Sequence, residues 1–187
     1  FLRENSVWKG GEFGKMTMLQ SDKWHRLWDP SSYIGYAKMP LMFLNGTNDF
    51  AYPMDSYAKT CALVRSKKNY SIQLNMKHGH IFDFPEFFLF IDQYILNGTP
   101  MPEVSRPVVK KNKVSALVKA ETKLIEAKLY YTIAPHDQNR SRAWHTIDLT
   151  LNGNRINGDA PPDDAKVWYV AVRDERKAIT SSELIMP

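Results

Sequence analysis

The feature that most constrains this chain is a change of pattern at a proline-rich stretch, TPMPEVSRPVVKKNK, residues 99–113. Before it, apolar residues form one unbroken run and several helical spacings. PLMFLNGTND (40–49) carries Leu41–Leu44 without interruption and then ends in small polar residues. Such a run is the mark of a strand buried on both faces, as in a parallel sheet. YPMDSYAKTCALVRSKK places Tyr57, Cys61 and Leu63-Val64 on a helical period with a basic C-terminal end, which suits the helix dipole. NYSIQLNM (69–76) alternates Ile72 and Leu74 with polar neighbours and reads as a second strand. PEFFLFIDQYILNG reads as an apolar helix, with Pro85 at its start and Gly98 just past its end. Strand, helix, strand, loop and helix make one and a half crossovers of a parallel α/β sheet.

After the prolines the helical period disappears. KVSALVKAE, AKLYYTIA, RAWHTIDLTL, KVWYVAVRD and ITSSELIM are short β-rich runs, and NGNRING and DAPPDD supply turns between them. The expectation is therefore an α/β part over residues 1–99, a Pro/Lys linker at 100–113, and a small β-sandwich-like domain over 114–187. Ahead of the first strand, SDKWHRLWDPSSYIGYAKMP sets Trp24 and Trp28 on one face of a short helix, broken at Asp29-Pro30.

Composition narrows the function classes. The 187 residues are 43% hydrophobic and 24% charged, an ordinary globular mix. The net charge of +5 is spread evenly: 12 Lys+Arg against 10 Asp+Glu before Pro107, and 13 against 10 from there on. No basic face interleaved with aromatics is evident, which points away from nucleic acid. No apolar run approaches the roughly 20 residues that cross a bilayer. A lone cysteine, Cys61, rules out an internal disulfide without fixing the compartment.

Candidate chemistry sits at two expected strand ends, where open α/β sheets gather ligands and catalytic groups. Asn45-Gly-Thr-Asn-Asp49 follows the first strand and His78-Gly79-His80 follows the second. A buried Asp that accepts an imidazole N–H fixes the ring's tautomer and supports its protonated form. Acid precedes histidine by 31 residues (80 minus 49), with one helix and one strand between. The bland alternative is that Asp49 caps the turn after its strand. His78 and His80 could also hold a metal as an i,i+2 pair. Cys61 lies on a helix, however, and His25, His136 and His145 fall in other segments, so no first shell is completed and neither metal nor cofactor is expected. Trp24 and Trp28 could stack on a sugar ring as substrate-binding residues, or pack as core or lid.

Taken together, LNGTNDFAYP and HIFDFPEFFLFIDQYI resemble the acid-bearing strand end and the last strand-to-helix segment of α/β hydrolases. The closest branch contains acetyl xylan esterases, cephalosporin-C deacetylases and dienelactone hydrolases. WHRLWDPSSY, SRAWHTIDLTL and VWYVAVRDERKAITSSE resemble bacterial members with a β-rich C-terminal extension. The resemblance implies Asp49 as triad acid and His80 as base, because Phe82 and Pro85-Glu86 stand in the family register from His80; His78 is the alternative base. It implies a serine-dependent carboxylesterase or deacetylase acting on acetylated carbohydrate or a similar small ester. It also favours an exported, periplasmic or extracellular, location. One departure stands out: no Ser here is flanked as G-x-S-x-G. Residues 1–187 are accordingly expected to be the C-terminal part of a longer hydrolase, inactive alone, and partnered by its missing part or by another copy. The competing expectation is a catalytically degenerate binding or scaffold protein whose β-domain binds carbohydrate or protein.

Overall fold

The computed structural model describes residues 12–79, 83–135 and 141–186. The chain divides into two compact units, Phe1–Pro40 with Lys59–Lys67, and Leu41–Ala58 with Lys68–Pro187.

In the first unit, helix α1 (Glu12–Lys15) is followed by α2 (Met18–Trp28) and two 3-10 turns, Pro30–Ser32 and Ile34–Tyr36. Thr17 starts α2 with a capping box, its hydroxyl accepting from the Gln20 N–H while the Gln20 side-chain oxygen Oε1 accepts from the Thr17 N–H. Asp29 ends it and caps the next turn, accepting from the Ser31 N–H at 2.9 Å, so the Asp-Pro pair both stops one helix and starts another turn. The Tyr33 hydroxyl folds back to donate to the Arg26 carbonyl at 2.6 Å. Trp24 is half-buried and Trp28 is exposed.

The second unit is built on two sheets. Strand β1 (Leu41–Asn48) is followed by helix α3 (Met54–Leu63), of which the residues up to Ala58 belong to this unit, then by β2 (Lys68–Lys77) and helix α4 (Pro85–Ile95). Short strands β3 (Glu103–Val104) and β4 (Val108–Lys110) precede β5 (Lys113–Lys119) and β6 (Leu124–Thr132). Then come β7 (His145–Asp148), β8 (Thr150–Asn152), β9 (Arg155–Asp159), β10 (Val167–Asp174) and β11 (Ile179–Ser181). The six-stranded sheet runs β1-β2-β11-β10-β6-β7, and the second runs β3-β5-β9-β8 with β4 also on β5. Turn chemistry explains the tight hairpins. Lys111 and Asn112, both at positive φ, form the two-residue link between paired Lys110 and Lys113, as a type I′ turn requires.

Alternation places the core. Val114, Ala116 and Val118 of β5 and Ile156 of β9 face Ala127, Leu129, Trp168, Val170 and Val172 of the larger sheet, making the apolar layer between the sheets. On the far face of β10, Val167, Tyr169 and Ala171 pack with Ile72, Leu184 and Met54 of α3. Strand β10 is thus buried on both faces, and its sequence VWYVAV shows it.

The expected architecture, the C-terminal part of an α/β-hydrolase parallel sheet followed by a separate sandwich, is corrected here. Strand content is 38% against 24% helix, and β1–β2 is the one parallel pair among the described strands. From β2 onward the same sheet continues antiparallel through β11, β10, β6 and β7. The reason is physical: a continuous apolar run reports burial, not the direction of the neighbouring strand. Leu41–Leu44 are only half-buried in β1. The strand that is enclosed on both sides is β10, with antiparallel neighbours.

Candidate functional site

A bulge aims the end of β1 at the end of β2. The strands run in parallel register from Leu41↔Lys68 to Gly46↔Gln73, then slip so that Asn48 faces Lys77. Gly46 makes the close approach possible, because a Cβ there would lie 2.2 Å from the Met76 carbonyl oxygen. Asn75 takes a positive φ of 57°, and its N–H donates to the Thr47 hydroxyl at 2.7 Å, holding the slipped segment. The two residues that follow these strand ends, Asp49 and His78, are thereby brought together.

Asp49 is 6% exposed, and its hydrogen bonds hold it in place. One carboxylate oxygen, Oδ1, accepts from the N–H groups of Ala51 at 2.7 Å and Tyr52 at 2.9 Å. The other, Oδ2, lies 3.1 Å from His78 Nδ1. An ionised carboxylate only accepts, so in this contact Nδ1 is the N–H, and in the neutral ring the lone pair falls to Nε2. Phe50 and Tyr52 flank the ring, with centroids 5.3 and 5.6 Å from it. The His78 side chain keeps 25% of its surface exposed, against 7% for that of Asp49. A buried orienting acid behind a reachable imidazole is therefore what the sequence places at this strand end. Below it, the Asn48 side chain donates to the Arg142 carbonyl at 2.9 Å, tying the site to a segment 94 residues away.

No family model matches the chain. Nor does any curated protein match it. Among solved structures, it is similar to pectate lyase PelI from Erwinia chrysanthemi, solved in complex with tetragalacturonic acid. The identity is 13% and the TM-score 0.29, over 46% of this chain and 28% of that one. At that distance the likeness establishes neither fold nor chemistry. The identification with the acetyl xylan esterase, cephalosporin-C deacetylase and dienelactone hydrolase branch is corrected with the fold. The mixed, mainly antiparallel sheet is not an α/β-hydrolase sheet, so that family name does not apply and lends no support to an esterase label.

The other sequence candidates fall as follows. His80, the base that the resemblance implied, lies outside the described residues, as does Phe82 of its register. Trp24 and Trp28 lie on α2, in the other compact unit. A second histidine–carboxylate pair, His25 and Asp29, is an exposed i,i+4 contact at 4.0 Å. Among the described residues no cluster of three or more His, Cys, Asp or Glu could hold a metal ion. Sequence reasoning missed the parts that shape the site: Gly46, Thr47 and Asn75 of the bulge, and the ring walls Phe50 and Tyr52. Gly46 offered the one available signal, a glycine inside an apolar strand, which marks a bulge or a close backbone approach.

Proposed function

We propose that Asp49 and His78 are the acid–base half of a hydrolytic centre that transfers an acyl group to water by way of a hydroxyl nucleophile. The observation that carries this reading is the 3.1 Å contact between a buried, fully fixed carboxylate and a partly exposed imidazole. His78 Nε2 takes the proton of the attacking hydroxyl as its oxygen bonds to the acyl carbon, and then returns it to the leaving alcohol. Asp49 holds the tautomer and stabilises the imidazolium between those two steps. The reading requires a hydroxyl nucleophile within reach of His78 Nε2. The competing reading is structural: Asp49 caps a turn, as its bonds to Ala51 and Tyr52 attest, and His78 merely completes the cap.

The test is p-nitrophenyl acetate turnover by the protein that holds these residues together with its nucleophile. His78→Ala is expected to lower kcat/KM by about a hundredfold or more while the melting temperature moves little. Full activity in His78→Ala overturns the assignment of the base. Full activity in both His78→Ala and His80→Ala overturns the hydrolytic reading. In the chain by itself, nitrogen NMR should find His78 in the Nδ1–H tautomer.

A further inference from the structure

Helix α4 is turned the wrong way round for a molecule that stands alone in water. Its sequence, PEFFLFIDQYI, is mostly apolar, yet the one buried residue along it is Glu86. That side chain is 1% exposed, and its Oε1 accepts from the Ile179 N–H at 2.6 Å and from the Gln73 amide at 3.3 Å. Two turns on, Gln93 Oε1 accepts from the Met101 N–H at 3.0 Å. Glu86 and Gln93 stand seven residues apart (93 minus 86), so they share one face of the helix, and that face is turned to the body of its unit. Polar bonds tie the helix down where a surface helix ordinarily buries an apolar stripe.

The apolar residues take the opposite face. Phe88, Ile91 and Ile95 are 56%, 40% and 72% exposed. They fall within an arc of about 60°, roughly 180° around the helix from Glu86 and Gln93. Phe87 borders the arc and sets its ring edge-on to Phe88, centroids 5.4 Å apart. With Phe84 at the N-cap, the series 84, 88, 91, 95 is spaced four, three, four, the seam by which one helix packs along another. The exposed parts of Phe87, Phe88, Ile91, Ile95 and Leu96 amount to on the order of 500 Å², near the upper end for the largest apolar patch of a monomer.

Charge and area select what covers it. From His78 to Ser105 the sequence has no Lys or Arg, and the half-exposed Asp92 is the one charge beside the arc. A charged partner would find little to pair with, whereas two copies of the arc bring no like charges together within it. Two copies would together bury on the order of 1,000 Å², the least that a specific interface needs. A seam of this spacing also calls for a helix with the same spacing, which a second copy supplies.

We propose that α4 is a homodimer interface, in which the Phe88–Ile91–Ile95 arcs of two copies pack helix on helix about a two-fold axis. Ile91 lies midway between Phe87 and Ile95, so two-fold pairing sets it near its own counterpart. With its area at the threshold the dimer is weak, with a dissociation constant of roughly micromolar order. Sedimentation equilibrium of the chain from roughly 1 to 300 μM should show the mass rise from monomer to dimer. Ile91→Glu and Ile91→Lys each oppose like charges across the axis and should weaken the dimer about a hundredfold or more. Both sit on the outer face, so the melting temperature of the dilute protein should stay where it is. Mixed in equal amounts, the two variants should associate again, since Glu then meets Lys. Val109→Glu alters an exposed valine of β4, 47% exposed, and should leave the dimer as it is. The proposal is overturned if the unaltered chain stays monomeric to the top of that range, or if Ile91→Glu dimerises like it. It is equally overturned if the mixed variants fail to associate, or if Val109→Glu is the change that dissolves the dimer.

Discussion

Two buried carboxylates end two strands of the same sheet in nearly the same way, and only their third partner differs. Asp49 follows β1 and Asp174 closes β10. Each turns one oxygen, Oδ1, to a pair of backbone N–H groups: Ala51 and Tyr52 for Asp49, Arg176 and Ala178 for Asp174. Each gives its Oδ2 to a nitrogen-bearing side chain. For Asp49 that is a histidine ring; for Asp174 it is Arg176, through Nε and Nη2 at 2.7 Å each, joined by the Thr122 hydroxyl at 3.0 Å. Arg176 spends its remaining donors on the Thr99 and Pro100 carbonyls, so the Asp174 cluster clamps the β10–β11 hairpin to the segment after α4. A guanidinium does not give up its proton near neutral pH, and that clamp can only hold. On the proposed reading, the ring that stands in its place at Asp49 is a group that can pass a proton on. The turn supplies the frame, and the partner decides between structure and chemistry.

That contrast can be broken first at Asp174. Asp174→Ala leaves a partly exposed guanidinium without its carboxylate and frees two buried backbone N–H groups, and should cost about 2–4 kcal/mol in urea unfolding. Asp49→Asn keeps the shape and one acceptor, so its cost in the same measurement should stay below about 2 kcal/mol. Its effect on acyl transfer should be much larger, about a hundredfold or more, because the ring loses its fixed tautomer. A stability loss at Asp49 equal to that at Asp174, with no loss of turnover, would make both sites clamps. The smallest effect concerns a polar group with no hydrogen-bond partner among the described residues. The Tyr169 hydroxyl is buried without a hydrogen bond, beneath the stacked ring of Tyr130, and burial raises its pKa well above the usual 10.0. Unfolded, it would ionise near pH 10, whereas folded it keeps its proton. Its contribution is therefore whole below about pH 10 and declines as pH rises beyond that value. Melting temperatures from pH 8 to 11 should be flat and then fall, and Tyr169→Phe should flatten part of that fall, Tyr130 being raised by burial as well.

Legibility from sequence followed the range of the interactions. Local signals carried well: the Pro85 start of α4, the break at Asp29-Pro30, and the alternation in KVSALVK all reflect physics within a few residues. Strand partnership did not carry, because β2 meets β11 through residues more than a hundred positions apart. Nothing in NYSIQLNM states that its second neighbour runs antiparallel. At the candidate site, the types and order of Asp49 and the two histidines could be read from the chain. Which histidine stands at 3.1 Å could not, since that depends on a two-residue slip set by Gly46, Thr47 and Asn75. The burial of Asn69 and Thr180 left no trace in sequence at all. A buried Asn or Thr in a strand looks like an exposed one until its neighbours are known.

The sheet order also sets a timetable. Strand β2 leaves the ribosome with β1 for company, but its other flank is completed only when Ser181 arrives, 109 residues after Ile72. Until β10 and β11 are made, β2 presents an open edge, and the half-apolar pair β1–β2 has no antiparallel neighbour to close against. Pairings so distant along the chain are slow to form and leave the nascent molecule prone to sticking. Translation that stalls within that interval releases a product with an unprotected sheet, so this chain depends on its own synthesis running through without interruption.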